Sequence, residues 1–199
     1  MTAAQPYSGL GRWDQFYMRW RAKLLLVLGL REAAMDVFRA ILKDMPHDVH
    51  ALNSLGYNAL QTRHPAQALP YFEQVLALKP ELSNAHFNVA FVSEELGRLE
   101  QAEAEFRAAI AIEEKMDRAW YGLGLVLVRL GRLDEALTAL KRNTKLQPMS
   151  PFGWYQIARV HVDLKQPEKA LKVIRHLKGF EPKVAAQLER ETGLKVGHL

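Results

Sequence analysis

Five stretches of the chain align on one another at a fixed period of 34 residues, without insertion or deletion, beginning at Gln15, Val49, Ser83, Asp117 and Pro151. Such a period constrains the fold more than any other feature. Each copy is one supersecondary unit, too small to bury its apolar face alone, so neighbouring copies must stack. Three columns carry the alignment. The eighth place is small: Ala22, Gly56, Ala90, Gly124, Ala158. The twentieth is always alanine: Ala34, Ala68, Ala102, Ala136, Ala170. The twenty-fourth is bulky and apolar: Phe38, Phe72, Phe106, Leu140, Ile174.

Each unit carries two helical patterns of about fourteen residues, broken near the fifteenth place by Gly29, Gly97 and Gly131 in three units and by His64-Pro65 or Gln166-Pro167 in the others. Glycine suits the left-handed residue past a helix end, and proline suits the first turn of the next helix. Between units, Asp48, Ser83 and Ser150 are expected N-caps. The small residue on the first helix and the alanine on the second let two backbones cross closely. Leu52, Leu55, Trp120, Leu123, Trp154 and Ile157 then fill the space beside the crossing. These patterns predict an all-α solenoid.

In the unit from Asp117, the positions Trp120, Leu123, Gly124, Leu127, Ala136, Leu140 and Pro148 follow a Trp–Leu–Gly–Tyr–Ala–Phe–Ala–Pro skeleton. The pattern resembles the tetratricopeptide repeat (TPR) family over roughly residues 15–184. The resemblance implies a right-handed α-solenoid of five helix-turn-helix repeats: 15–48 (degenerate), 49–82, 83–116, 117–150 and 151–184. An irregular leader, 1–14, precedes them, and a C-terminal capping helix and tail, 185–199, follows. The segment Pro182 to Gly193 reads as that amphipathic helix. Two departures carry expectations. The unit from Ser83 has Glu114 where proline is usual, so its second helix is expected to run on by a turn. Pro70 lies inside a second helix and should cost a hydrogen bond or kink it.

In this family the first helices line a concave side that holds peptides. Carried onto this sequence, the groove places give Asn53 and Tyr57 in the second unit and Asn84, Phe87, Asn88 and Phe91 in the third. The fourth supplies Arg118, Tyr121, Leu125 and Arg129, and the fifth Tyr155 and Arg159. Aromatics provide contact area at low entropic cost, Arg binds carboxylates, and Asn can pair with a peptide backbone of any sequence. The expected function is a scaffold or adaptor that binds a partner protein through a peptide segment. The set of groups with which some family members grip a C-terminal carboxylate is matched here only at Asn88 and Arg118.

The first unit is unusual. Phe16, Trp20, Leu24 and Val27, with their neighbours, leave its first helix apolar almost all round. Either Tyr7, Leu10 and Trp13 fold back over it, or it pairs with another chain as a homodimer. Charge is uneven too, within a formal net charge of +5. Residues 83–116 hold three Lys or Arg against seven Asp or Glu, whereas 117–150 hold six against three and 151–184 seven against three. The basic excess, including Lys141, Arg142, Lys169, Lys172 and Arg175, lies mainly on second helices. A basic convex surface that binds nucleic acid or an anionic membrane is the rival reading, and an accessory subunit regulating an enzyme is a third. No interleaved aromatics for base stacking accompany that charge.

Reactive chemistry is not indicated. With no cysteine there is no thiolate site. His47 and His50 lack a third metal ligand, and Gly122-Leu-Gly-Leu falls inside a first helix with no strand before it. No catalytic residues, metal or cofactor are expected. The segment from Arg19 to Leu30 superficially resembles a secretory leader, but it occupies a first-helix slot in the repeat, and no stretch is long enough for a membrane span. A cytoplasmic protein is expected.

Overall fold

The computed structural model describes residues 12–197. Among them are eleven α-helices and no strand: α1 (Arg12–Val27), α2 (Arg31–Asp44), α3 (Val49–Gln61), α4 (Pro65–Leu78), α5 (Ser83–Glu95), α6 (Leu99–Ile112), α7 (Asp117–Arg129), α8 (Leu133–Leu146), α9 (Pro151–Asp163), α10 (Pro167–Lys178) and α11 (Pro182–Thr192). They form two compact units, Met1–Leu96 and Gly97–Leu199. In the first, α1 to α5 pack in chain order, each on the next. In the second, α6 to α11 do the same, and α11 also reaches α9. Tyr7 and Leu10, expected to fold over the first helix, lie outside the described residues, as does the side chain of Trp13.

The three columns are the core. All five alanines of the twentieth place are fully buried, and Phe38, Phe72, Phe106, Leu140 and Ile174 are at most 1% exposed. The eighth-place residues are buried as well. A methyl group added to Gly56 would lie 2.8 Å from two ring carbons of Phe72, and one added to Gly124 would lie 2.7 Å from Leu140. The glycines are therefore close approaches between paired helices, which is why their column stays small.

The turns repeat with the same period. At the fifteenth place Gly29, Gly97 and Gly131 have φ of 74, 75 and 75°, as expected. The other two units put Arg63 (φ 61°) and Lys165 (φ 55°) in the same left-handed conformation. The Pro that follows two residues later starts the next helix but does not remove the need for that conformation. Between units, a backbone bond closes each turn: Asp48 N to Met45 O, Leu82 N to Lys79 O, Met116 N to Glu113 O and Ser150 N to Gln147 O, all 3.0–3.1 Å.

Three local expectations change. Asp48 caps α3 by accepting from the Ala51 N–H at 2.8 Å, but Leu82 holds the cap position of α5, with Ser83 its first residue. Ser150 precedes α9 without a side-chain cap bond; the backbone closure and the preset φ of Pro151 define that start instead. The helix α6 does not run on past Ile112. Met116, 4% exposed, is buried, and the Trp120 Nε1–H donates to the Glu114 carbonyl at 2.8 Å, so the turn forms without its proline. Trp154 donates likewise to Pro148 O at 2.9 Å, and His86 Nε2 meets Pro80 O at 2.9 Å, an imidazole in the tryptophan place. Pro70 leaves α4 continuous. It and Ala66, whose carbonyl loses its partner, are both exposed, so water can replace the lost donor.

Candidate functional site

In the first unit, α3 and α5 share an open cleft of about 700 Å³ lined by Tyr57, Leu60, Gln61, Arg63, Pro65, Phe87, Asn88, Phe91 and Glu95. Its wall is the Phe87–Phe91 pair, one helical turn apart, with nearly parallel rings whose centroids lie 6.3 Å apart. Its floor is tied down. Asn88 is buried, and its Nδ2 lies 2.9 Å from the Tyr57 hydroxyl, which in turn lies 3.1 Å from Asn88 Oδ1. The Tyr57 ring also rests edge-on against core residue Phe72 at 5.2 Å. Tyr57 is thus held from two sides while nearly half its surface faces solvent.

Four expected residues, Tyr57, Phe87, Asn88 and Phe91, therefore meet in one cleft. Asn53 lies one turn before Tyr57 on α3, and its Oδ1 is a buried acceptor without a partner among the described residues. Asn84 is exposed at the start of α5. Leu60 and Gln61 from the last turn of α3, Arg63 from the turn after it and Pro65 from the start of α4 complete the lining, and none of the four was among the expected groove residues. The signal that could have found them is their closeness to Tyr57 along the chain.

In the second unit, Tyr121 and Tyr155 line a smaller cleft of about 300 Å³ with Pro151, Phe152, Gln156, Val184 and Gln187. The last two come from α11. That helix also supplies Glu191, which accepts from the Tyr155 hydroxyl at 2.5 Å and from Gln187 Nε2 at 2.7 Å. Arg159 donates to the Tyr155 hydroxyl at 3.2 Å and approaches Glu191 at 3.6 Å. The tyrosine hydroxyl bond, helped by Gln187 and Arg159, holds the Glu191 carboxyl below the usual carboxylate range. Tyr155 and Arg159 are therefore engaged by a carboxylate of the chain itself. Beyond the repeat register, Glu191 gave no sequence signal. On α7, Arg118 and Arg129 are exposed and Leu125 is half-buried.

The basic residues are partly compensated. Arg142 pairs with Glu114, and Lys178 with Glu189 at 3.6 Å. Lys141, Lys169 and Lys172 line a third cleft, which also includes Asp134, His161 and Gln166.

The sequence profile of the tetratricopeptide repeat matches residues 53–116 and 94–151. Solved structures of the same fold include MamA, with 19% identity and a TM-score of 0.76 over 92% of this chain and 96% of that one. YrrB, described as a TPR protein with an unusual peptide-binding site, is 21% identical with a TM-score of 0.75 over 85% of this chain and 88% of its own. PilW, a type IV pilus biogenesis factor, is 20% identical with a TM-score of 0.74 over 86% and 80%. No curated protein matches the sequence. The chain belongs to the tetratricopeptide repeat family.

Proposed function

We propose that the protein is a non-catalytic scaffold that binds a partner protein by gripping a peptide segment in the cleft shared by α3 and α5. The observation that carries this reading is a wall of half-buried Phe87 and exposed Phe91, facing a Tyr57 fixed by Asn88 and Phe72. Rigid aromatics beside a few fixed polar groups are what recognition surfaces use, because little side-chain entropy is lost on contact. An apolar side chain of the peptide lies over the two phenylalanines. The Tyr57 hydroxyl takes a backbone or polar group of the same segment. The description of YrrB as peptide-binding supports a peptide as ligand, while its low identity leaves the segment's sequence open.

Short peptides selected from a random display library against the whole protein test this. Replacing Phe87 and Phe91 together by serine removes two anchors, so binding should weaken at least about thirtyfold, with unchanged helicity. Selected peptides that bind the double variant as tightly as the original protein would show that the cleft is not the site.

A further inference from the structure

We propose that the outer face of α1 docks flat on an anionic lipid surface. Among the described residues, more than half of the large apolar side chains left exposed stand between Phe16 and Leu30. Met18, Ala22 and Leu25 seat the opposite face of α1 on the core of the first unit, so this outward apolar face is not needed for folding. Phe16 (65% exposed), Trp20 (54%) and Val27 (83%) are spaced at helical intervals along one ridge, with Leu24 between them and Tyr17 beside it.

Charge selects the occupant. Arg21 and Lys23 border the ridge on opposite sides, and Arg31 follows just beyond it; all three are exposed, and no ion pair engages them among the described residues. Arg19 also lies near the ridge, paired with Asp48. A second copy docked face to face would bring the same cations together and offer few carboxylates to neutralise them. Lipid phosphates supply the missing anions, and Trp, Tyr and Phe bordered by Lys and Arg are the side chains that settle at a headgroup boundary. No helix among the described residues is long and apolar enough to cross a membrane, so α1 lies on the bilayer rather than through it.

Sedimentation of the whole protein with vesicles of phosphatidylcholine, alone or mixed with phosphatidylglycerol, tests the proposal, with light scattering for oligomeric state. Partition into the anionic vesicles should exceed that into the neutral ones at least tenfold. Each cation near the surface adds roughly fivefold, so Arg21→Gln with Lys23→Gln should lower partition about thirtyfold. Trp20→Ser with Val27→Ser should lower it more than tenfold. Should that apolar pair unfold the protein, the charge pair alone decides. Equal partition into both vesicles, or into neither, overturns the proposal. So does loss of binding on Lys169→Gln, Lys172→Gln and Arg175→Gln with the α1 variants silent. A dimer that Trp20→Ser with Val27→Ser turns into a monomer makes a second copy the occupant, and binding that emerges only after deletion of residues 2–11 makes the chain's own leader the occupant; either refutes the lipid assignment.

Discussion

Gly56→Ala puts the packing of the hairpins to a quantitative test. Helix propensity alone favours the change, because glycine inside a helix costs about 1 kcal/mol relative to alanine. Packing opposes it. The new methyl would stand 2.8 Å from Cε1 and Cζ of Phe72 and 3.2 Å from Cδ1, well inside the 3.5–4.0 Å optimum for carbon pairs. Phe72 is fully buried, and the Tyr57 ring stands 5.2 Å away, so the phenyl group cannot simply swing aside. Overpacking of this kind costs about 1–3 kcal/mol. The same place is alanine in the first hairpin, where Phe38 is equally buried, so the helices can separate slightly and the cost falls towards the middle of that range. The net expectation is a loss of about 1 kcal/mol, or roughly 2–4 °C in Tm for a chain of this size, read from thermal and urea unfolding by circular dichroism. Phe72→Leu should relieve the clash, so the double variant should be more stable than the sum of the singles by about 1 kcal/mol. A Gly56→Ala protein that melts several degrees higher than the parent would refute the reasoning, because propensity would then have acted unopposed.

Three further outcomes follow from the structure. Arg63→Gly and Lys165→Gly replace residues held at positive φ; the left-handed conformation costs a non-glycine residue about 1–2 kcal/mol and glycine returns part of that as chain entropy, so each should stabilise by about 0.5 kcal/mol, and a lower urea midpoint would contradict this. Asn143 is buried and its Nδ2 donates to the Asp117 carbonyl at 2.9 Å, so Asn143→Ala should cost about 1–3 kcal/mol by stranding that acceptor, and a neutral result in urea unfolding would show that water reaches it. His161 is buried, which lowers its pKa below the usual histidine value; above about pH 6.5 it is neutral folded or unfolded, and on acidification the unfolded chain takes the proton first. Stability should therefore fall as pH drops below 6.5 and level off past the folded pKa, and His161→Gln should flatten that part of the urea-midpoint profile.

Much of the packing was readable because the period encodes a steric demand. A column restricted to Ala and Gly opposite a column of Phe, Leu and Ile means two helices crossing with one bulky side chain between them, and Gly56 with Phe72 shows that contact. The left-handed turns were readable where glycine marks them and not at Arg63 and Lys165, where residue type argues against the conformation that the neighbouring helices impose. The role of His86 was hidden for a similar reason. Its ring nitrogen reaches Pro80 O as the indoles of Trp120 and Trp154 reach their own turn carbonyls, a likeness of hydrogen bonding that residue classes do not reveal.

The site was less legible, since a register fixes which way a side chain leaves its helix but not what that side chain meets. Asn88 reads as a group offered to a ligand, yet it is buried against Tyr57, 31 residues earlier. Arg159 reads as a carboxylate receptor, yet Glu191 already stands 3.6 Å from it. In both cases the partner comes from another helix, at a distance the period does not specify. Repetition constrains the positions that every hairpin must bury alike. The hairpins differ elsewhere: two stacked phenylalanines on α5, a carboxylate on α11 that engages Tyr155 and Arg159, an apolar ridge bordered by cations on α1. A sequence whose strongest signal is its own repetition therefore specifies its core most firmly, and its binding surfaces have to be read from the departures.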